Sequence, residues 1–342
     1  MNVEDFNYYL PPSLIAQYPP SQRGRSRLMV LRRDQQSIEH RVFEEIPNLL
    51  TPGDLLVLND TRVLPVRLIG KKESGGRVEL LLIPSENGRK GEYEALMKGS
   101  KRLRPGAQIQ FTEEFSAEIK EVKDGRARVT FLGSCDPMEM IKKIGHIPLP
   151  PYIKRKDEPM DKERYQTVYA EKDGSMAAPT AGLHFTPSLL QTLKRSGVQV
   201  TYLTLHIGIG TFSPVKVKNL EDHHMEAEWV EISKKTALEV QNTKQRGGRV
   251  IAVGTTTTRA LESFANGTGG LRSGREMTTL FIYPPFRFRV IDGLITNFHL
   301  PKSTLLMLVS AFTGQAFLMR AYQEAIEKRY RFYSYGDAML IL

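Results

Sequence analysis

The sequence is poor in residues that cross-link a chain, bind a metal or anchor it in a membrane. Of its 342 residues only Cys135 is a cysteine, which excludes an internal disulfide and a cluster of zinc-bound thiolates. No pair of histidines has metal-ligand spacing on a predicted helix, and we expect no metal site. No apolar run approaches the roughly 18 residues that a membrane span needs. The first residues lack the basic-then-apolar order of a signal peptide, so we expect a cytoplasmic protein outside the membrane.

Acidic residues are fewer than basic ones. The chain has 38 Asp and Glu against 48 Lys and Arg, a formal net charge of +10, and residues 21–33 contain five arginines without an acid. This balance favours a polyanionic partner. A solvated basic face that keeps the protein soluble is the alternative. No zinc-finger spacing, RNP aromatic signature or helical Gly-x-x-Gly clamp identifies a familiar nucleic-acid module.

The hydrophobic pattern divides the chain into two kinds of segment. Residues 68–147 contain short alternating segments, with turns predicted at 75–76, 87–88, 105–106 and 124–125, as is typical of a small antiparallel barrel. Elsewhere strands predicted at 28–31, 55–58, 198–205, 250–253 and 278–283 alternate with helices at 187–195, 234–244, 303–312 and 315–327. We therefore predict an α/β layered catalytic domain with a mostly parallel sheet (1–67 and 148–342) and an inserted β-barrel domain (68–147).

Residues 174–186 form a run of small residues that ends beside a histidine and leads into a helix. Thr186 and Pro187 predict an N-cap and a first helical position. The amides of that first turn can hold an anion, and the glycines and alanines before it let a ligand approach the backbone. His184 is a candidate for chemistry here, and a hydrogen-bonded structural histidine is the alternative.

Other polar clusters follow predicted strands. In open α/β sheets, ligands bind beyond the carboxyl ends of the strands. Clusters of this kind occupy residues 59–62, 206–211, 223–228, 254–262 and 297–299. Each one alone is also explained as a capping turn or a satisfied structural residue. Their joint placement indicates a cleft that combines a base, an anion clamp and a nucleoside pocket.

Five segments are similar to motifs of one enzyme family. They are PLPPYIKR (148–155), RYQTVYA (164–170), AAPTAGLHFT (177–186), LHIGIGTF (205–212) and ITNFHLPKSTLLMLV (295–309). Together they resemble the S-adenosylmethionine:tRNA ribosyltransferase-isomerases of queuosine biosynthesis, and the resemblance extends from Leu14 to Met339. Two departures are Glu226, where the family usually has histidine, and Pro285, where it has glycine after Tyr-Pro.

The resemblance implies a definite reaction. The ribosyl part of S-adenosylmethionine is transferred and isomerised onto 7-aminomethyl-7-deazaguanine at the tRNA wobble position. The products are epoxyqueuosine-tRNA, adenine and methionine. S-adenosylmethionine is then a consumed co-substrate, no other cofactor is expected, and the partner is tRNA with a modified wobble guanine. We expect the protein to be a monomer.

This chemistry needs a base to remove a proton beside the sulfonium and an acid to assist adenine departure. The catalytic candidates are His184, His299 and Asp60. Predicted contacts to S-adenosylmethionine or the modified base are Thr61, Arg62, Thr180, Gly182, His206, Gly208, Gly210, His223, Thr255, Thr256 and Asn297. Predicted tRNA phosphate contacts are Arg23, Arg25, Arg27, Lys154, Arg155, Arg287 and Arg289.

Two alternatives to this function remain at this point. An S-adenosylmethionine-dependent RNA methyltransferase is also basic and α/β, but the sequence lacks a glycine-rich loop after the first strand followed by an acidic strand end. A tRNA-binding protein without chemistry is the other alternative, and it predicts no consumption of S-adenosylmethionine.

Overall fold

The computed structural model describes residues 1–83, 91–98, 103–123, 125–208, 210, 215–267 and 270–342. The turn predicted at 87–88 and the first residue of the turn at 124–125 lie outside this range, as do three residues of the LHIGIGTF motif. The described strands are β1 (Arg27–Arg32), β2 (Ser37–Val42), β3 (Leu55–Asn59), β4 (Thr61–Val63), β5 (Arg67–Lys72), β6 (Arg77–Ile83), β7 (Glu92–Lys98), β8 (Gln108–Thr112), β9 (Phe115–Lys123), β10 (Arg126–Leu132), β11 (Lys172–Ser175), β12 (Gln199–Leu205), β13 (Glu228–Ile232), β14 (Val250–Val253), β15 (Gly274–Thr278), β16 (Gly293–Asn297) and β17 (Ala338–Ile341).

Seven α-helices and several short 3-10 helices accompany these strands in the described ranges. The α-helices are α1 (Pro137–Ile144), α2 (Asp161–Arg164), α3 (Pro187–Arg195), α4 (Lys234–Gln245), α5 (Thr255–Ser263), α6 (Thr304–Thr313) and α7 (Gln315–Glu327). Helix α3 begins as predicted, because the Thr186 hydroxyl accepts a hydrogen bond from the Leu189 amide at 3.1 Å. Within the described ranges no single helix is long and apolar enough to cross a membrane; α6 and α7 pass that test only as a pair bent by 115°.

The large sheet has nine strands in the order β15-β13-β12-β3-β14-β16-β17-β1-β2. The prediction of a mostly parallel sheet is wrong, because the sheet is mixed. Strands β12, β3, β14 and β16 run parallel, and β17 is parallel to β1. The pairs β15-β13, β13-β12, β16-β17 and β1-β2 are antiparallel. The reason is topological: β17 inserts between β16 and β1 and is antiparallel to β16, β1 and β2 form a hairpin at one edge, and β13 and β15 add antiparallel strands at the other edge.

Strand β3 explains why the central strands are continuous apolar runs. Its alternate residues Leu55 and Val57 belong to one core cluster, which also contains side chains of α4 to α7. Leu56 and Leu58 belong to a second cluster, which contains side chains of α3. Because both faces of the sheet are covered, a central strand has no polar face. The strand predicted at 278–283 is wrong: β15 ends at Thr278, and Ile282 packs into the core without joining a ladder.

The second sheet contains six antiparallel strands in the order β10-β7-β6-β5-β8-β9, and β9 also pairs with β10. Alternate residues Val78, Leu80 and Leu82 of β6 are buried in a separate core cluster, as the period-two pattern predicts. An antiparallel sheet in this part of the chain is thereby confirmed. The division into domains at residues 67 and 148 stays a prediction.

Candidate active site

A cleft in two adjoining parts lies at the carboxyl ends of the parallel strands β14 and β16. The inner part has a volume of about 80 Å³ and the outer part about 520 Å³. Seven residues line both parts, so the two parts share a wall: Tyr152, Thr180, Asn297, His299, Thr304, Leu305 and Ser334. The sequence predicts Thr180, Asn297 and His299 as site residues, and the structure brings these three together.

The turn after β14 forms one wall of the inner part. Gly254 has a φ of 93°, a conformation that favours glycine, and it turns the chain directly from β14 into α5. Gly254 has no side chain that can cap the first-turn amides of α5, and Thr255 and Thr256 line the cleft. This helix start is therefore suited to a polar or anionic ligand group.

His299 follows β16 and lies on the shared wall. Its side chain is buried, and burial lowers its pKa to about 3, so the imidazole is neutral near pH 7. Nε2 lies 3.4 Å from the Thr296 hydroxyl, whereas Nδ1 is buried without a hydrogen-bond partner. The backbone of His299 is held by the hydroxyls of Tyr8 and Tyr322. The result is a neutral imidazole on a backbone held at both its N–H and its carbonyl, with one ring nitrogen without a partner.

Asn297 connects the cleft to His184 behind it. The Asn297 amide nitrogen lies 3.1 Å from His184 Nε2 and 3.1 Å from the Tyr333 carbonyl. Because that nitrogen can only donate, Nε2 of His184 accepts, and Nδ1 donates to Ser26 Oγ at 2.8 Å. Burial lowers the pKa of His184 to about 3. The Asn297 Oδ1 atom is left without a partner.

Sequence reasoning missed a buried ion pair beside the inner part. Arg259 of α5 lines the cleft, and its Nη1 pairs with Glu228 of β13 while both side chains are at most 6% exposed. One signal for it was in the sequence. Glu228 alternates with the core residues Val230 and Ile232, so it occupies the buried face of its strand.

The cleft concentrates polar atoms that have no partner. Among the described residues, unpartnered buried side-chain atoms of cleft-lining residues are Arg259 Nη2, Asn297 Oδ1, His299 Nδ1 and Tyr333 Oη. Buried polar groups are normally hydrogen-bonded, and leaving one unpaired destabilises the fold. Two of these atoms lie at the end of β16 and two on adjoining elements, and their grouping around one cleft indicates a ligand site.

The ends of β3 and β12 carry predicted site residues that have partners in the protein. Asp60 Oδ1 accepts from the Thr204 hydroxyl at 2.6 Å, and burial raises the pKa of Asp60. Thr61 Oγ1 hydrogen-bonds with His206 Nδ1 at 2.7 Å. The His206 ring stacks on Trp229 with a centroid distance of 4.9 Å, and burial lowers the pKa of His206. These residues lie outside the two sets that line the cleft.

Gly182 and Arg62 have structural contacts of their own. A Cβ atom at Gly182 would lie 2.0 Å from the Tyr169 hydroxyl, so close packing requires glycine there. Arg62 is exposed, and its Nη2 donates to the Ala170 carbonyl at 2.7 Å. Neither residue lines the cleft.

Of the remaining predicted binding residues, Gly208, Gly210 and His223, only Gly210 lines the inner part. A Cβ atom at Gly210 would lie 3.1 Å from the Glu226 side chain. The Gly208 amide donates to Glu228 at 3.0 Å, close to the ion pair. The His223 ring meets the Phe281 ring edge to face with a centroid distance of 5.0 Å, and burial and His224 lower the pKa of His223. His223 does not line the cleft.

The predicted phosphate contacts fall into two groups. Three guanidinium groups are already held by the protein. Arg23 donates to the carbonyls of residues 163, 166 and 183, and Arg155 forms two 2.7 Å bonds with Asp161. Arg27 donates to the carbonyl of residue 328 at 2.7 Å. The second group is exposed and contains four residues: Arg25, Lys154, Arg287 and Arg289. Of these, Arg25 pairs with Glu44.

Side chains that ligate metals do not gather at this site. In the part of the chain that the structure describes, no three or more His, Cys, Asp or Glu side chains form a group able to hold a metal ion.

Comparisons with known proteins agree over the whole chain. The sequence profile of the family described as "Queuosine biosynthesis protein" matches residues 3–341. Similar chains named S-adenosylmethionine:tRNA ribosyltransferase-isomerase occur in Aquifex aeolicus, 50% identical over 343 residues, and in Halothermothrix orenii, 52% identical over 345 residues. Both alignments cover 100% of each chain.

A solved structure is similar as well. It is the crystal structure of S-adenosylmethionine tRNA ribosyltransferase from Thermotoga maritima, with 40% sequence identity and a TM-score of 0.57. The match covers 99% of this chain and 100% of that chain. By its full-length profile match and its full-length relatives, this chain belongs to the queuosine biosynthesis protein family.

Proposed function

We propose that this protein transfers and isomerises the ribosyl part of S-adenosylmethionine onto 7-aminomethyl-7-deazaguanine at the tRNA wobble position. The products are epoxyqueuosine-tRNA, adenine and methionine. The observation that carries the proposal is the identity of 50% or more, over the full length, to relatives named for this reaction. The two-part cleft supports it, because two substrates must meet at one site.

His299 is the residue that we propose for proton transfer. It lies on the wall shared by both parts of the cleft, and Nδ1 has no partner in the protein. Its lowered pKa keeps the imidazole neutral, so the ring is available to accept a proton from the carbon beside the sulfonium. The positive sulfonium stabilises the ylide that this step leaves on the substrate.

His184 acts through Asn297 in this proposal and is a positioning residue. Both of its ring nitrogens are engaged, one by Ser26 and the other by Asn297. The imidazole and the Tyr333 carbonyl hold the amide nitrogen of Asn297, which leaves Oδ1 for a ligand. Substrate donors such as the ribose hydroxyls or the aminomethyl group fit this acceptor.

Thr180, Thr255 and Thr256 complete the proposed substrate contacts. All three line the inner part, where their hydroxyls and the start of α5 suit the polar groups of a nucleoside. The tRNA backbone is proposed to contact the exposed residues Arg287 and Arg289. Asp60, Thr61 and His206 stay predictions from the sequence as catalytic or substrate-binding residues.

We further propose that the protein acts in the cytoplasm as a monomer without a metal or another cofactor. The six-stranded sheet is proposed to be the barrel of an inserted domain. Turnover that is unchanged by a chelator, and a monomer mass by sedimentation under assay conditions, are the expected results. Loss of activity with the chelator that returns on adding one metal would contradict the first part.

The decisive experiment incubates the protein with S-adenosylmethionine and tRNA that carries 7-aminomethyl-7-deazaguanine. Mass spectrometry is expected to detect free adenine and methionine and the epoxide-bearing cyclopentane on the nucleoside. tRNA with unmodified guanine is the control, since it lacks the acceptor amine. A gain of one methyl group would instead indicate a methyltransferase, and tRNA binding without either product would indicate a binding protein.

A further inference from the structure

The guanidinium of Arg259 is only partly used by the protein. Its Nε donates to the Leu280 carbonyl at 3.0 Å, and its Nη1 pairs with Glu228. Nη2 is buried and has no hydrogen-bond partner. The Arg259 side chain lines the inner part of the cleft, and the residue as a whole is 5% exposed. A buried donor of this kind destabilises the free protein unless a ligand satisfies it.

The ion pair with Glu228 fixes the direction in which that donor points. Glu228 also accepts from the Gly208 amide at 3.0 Å, so its carboxylate is held from two sides. Two contacts of the guanidinium, at Nε and Nη1, together with a Glu228 carboxylate that is itself held, leave the planar group little freedom to rotate. Nη2 is therefore a preorganised donor rather than a mobile one.

The start of α5 lies on the same wall. Gly254, Thr255 and Thr256 line the inner part together with Arg259, one turn further along the helix. Uncapped amides at a helix start and a guanidinium donor both favour a negatively charged group. The two features together define an anion subsite of the inner part.

We propose that Arg259 Nη2 binds the methionine carboxylate of S-adenosylmethionine. The carboxylate also accepts hydrogen bonds from the first-turn amides of α5. This inference rests on the proposed function and assigns one part of the substrate to one residue. The negatively charged groups of the two proposed substrates are this carboxylate and the tRNA phosphates. A phosphodiester is flanked by two nucleosides, and an inner part of about 80 Å³ around a side chain that is 5% exposed favours the terminal carboxylate.

The test compares S-adenosylmethionine with its decarboxylated analogue, which keeps the sulfonium and the ammonium. Binding of each is measured by isothermal titration calorimetry in the presence of tRNA with unmodified wobble guanine, so that no turnover occurs. The wild-type protein is expected to bind the analogue about 10- to 100-fold more weakly, the range for a hydrogen bond to a charged group.

Arg259→Gln leaves Glu228 buried without its ion pair, so the double variant Arg259→Gln/Glu228→Gln is tested beside it. In this double variant the dissociation constants of S-adenosylmethionine and its decarboxylated analogue are expected to differ by less than about threefold, because the carboxylate no longer meets a charged donor. Arg272→Gln removes an arginine from an exposed pair with Glu276 and is the matched control. It is expected to discriminate as the wild type does.

The outcomes separate this inference from the function on which it rests. A double variant that discriminates between the two ligands as strongly as the wild type overturns the role of Arg259 and leaves the proposed function standing. A wild-type protein that binds neither ligand with tRNA present overturns both.

Discussion

Two neighbouring pairs of parallel strands carry polar residues at their carboxyl ends, yet the two pairs differ in whether those residues have hydrogen-bond partners in the protein. At the ends of β3 and β12, Asp60 and His206 have protein partners at 2.6 and 2.7 Å. At the ends of β14 and β16, Asn297 and His299 each keep a buried atom without a partner. Both sets follow strands, but only the second lines the cleft.

A polar residue at a strand end is available to a ligand only where the fold leaves it without a hydrogen-bond partner. The small sheet formed by β4 and β11 supplies contacts at the first pair, because Thr61 of β4 reaches His206. At the second pair the chain turns into α5 and α6, whose first residues line the cleft. Substitutions at the two pairs are therefore expected to have different consequences.

Replacing His299 is expected to have the largest effect. His299→Gln removes the proposed proton-transfer group and should lower kcat by about 10²- to 10⁴-fold, the usual contribution of general acid–base catalysis. His206→Gln, at the end of the first pair, should lower the free energy of unfolding and change kcat far less. Steady-state kinetics of both variants measure kcat, and urea unfolding measures the free energy of unfolding. Equal losses of kcat in the two variants would remove the distinction between the two pairs.

The second-largest effect is expected from replacing His184, which accepts a hydrogen bond from the Asn297 amide. His184→Leu removes the acceptor for the Asn297 amide and should lower kcat by up to roughly 100-fold through a displaced Oδ1 atom. His184→Gln can accept the same hydrogen bond, so it should recover much of the loss. The pH profile of kcat should be the same in the wild type and in His184→Gln. A profile that loses one ionisation in His184→Gln would instead favour direct proton transfer by His184.

The third prediction is the pH dependence of stability. In the folded protein His184 and His299 have pKa values of about 3, whereas an unfolded histidine titrates near 6.5. Between these values the unfolded state binds more protons, so stability falls as the pH falls. Each histidine contributes up to about 1.4 kcal/mol per pH unit.

Urea unfolding at several pH values between 5 and 6 measures this slope. His299→Gln should have a shallower slope than the wild type by about that amount, because one of the two histidines is gone. His224→Gln, which removes an exposed histidine, is the control for loss of a surface imidazole. Identical slopes in the wild type and in His299→Gln would show that His299 is not held neutral.

The smallest effect is expected on tRNA binding, where exposed arginines are compared with an arginine that already has protein partners. Arg287→Gln/Arg289→Gln removes two exposed charges and should weaken tRNA binding and reduce its salt slope by about one per lost phosphate contact. Arg23→Gln removes a guanidinium that already donates to three carbonyls, so it should lower stability and leave the salt slope unchanged. Filter-binding titrations at several salt concentrations distinguish the two. A reduced slope in Arg23→Gln alone would reverse the assignment.

Much of the fold could be predicted because its signals are local. Helix α3 and strand β14 occupy the predicted residues, since a capping threonine and a short apolar run need only their neighbours in sequence. The sequence pattern did not predict strands β16 and β17. Each is short and fully buried, and each takes its direction from a partner strand far along the chain. The mixed character of the sheet follows from that placement.

The amino-acid sequence supplies the chemical groups of this protein: the threonines after β14, the asparagine and histidine at the end of β16, and the excess of basic residues. Tertiary structure decided which of them face a cleft. It paired His206 with Thr61, placed His184 behind Asn297, and brought Arg259 to the cleft beside Glu228. The physical reason is that a buried polar group becomes available to a ligand only when no partner from the rest of the fold reaches it. That condition depends on residues that are tens to hundreds of positions apart in the chain.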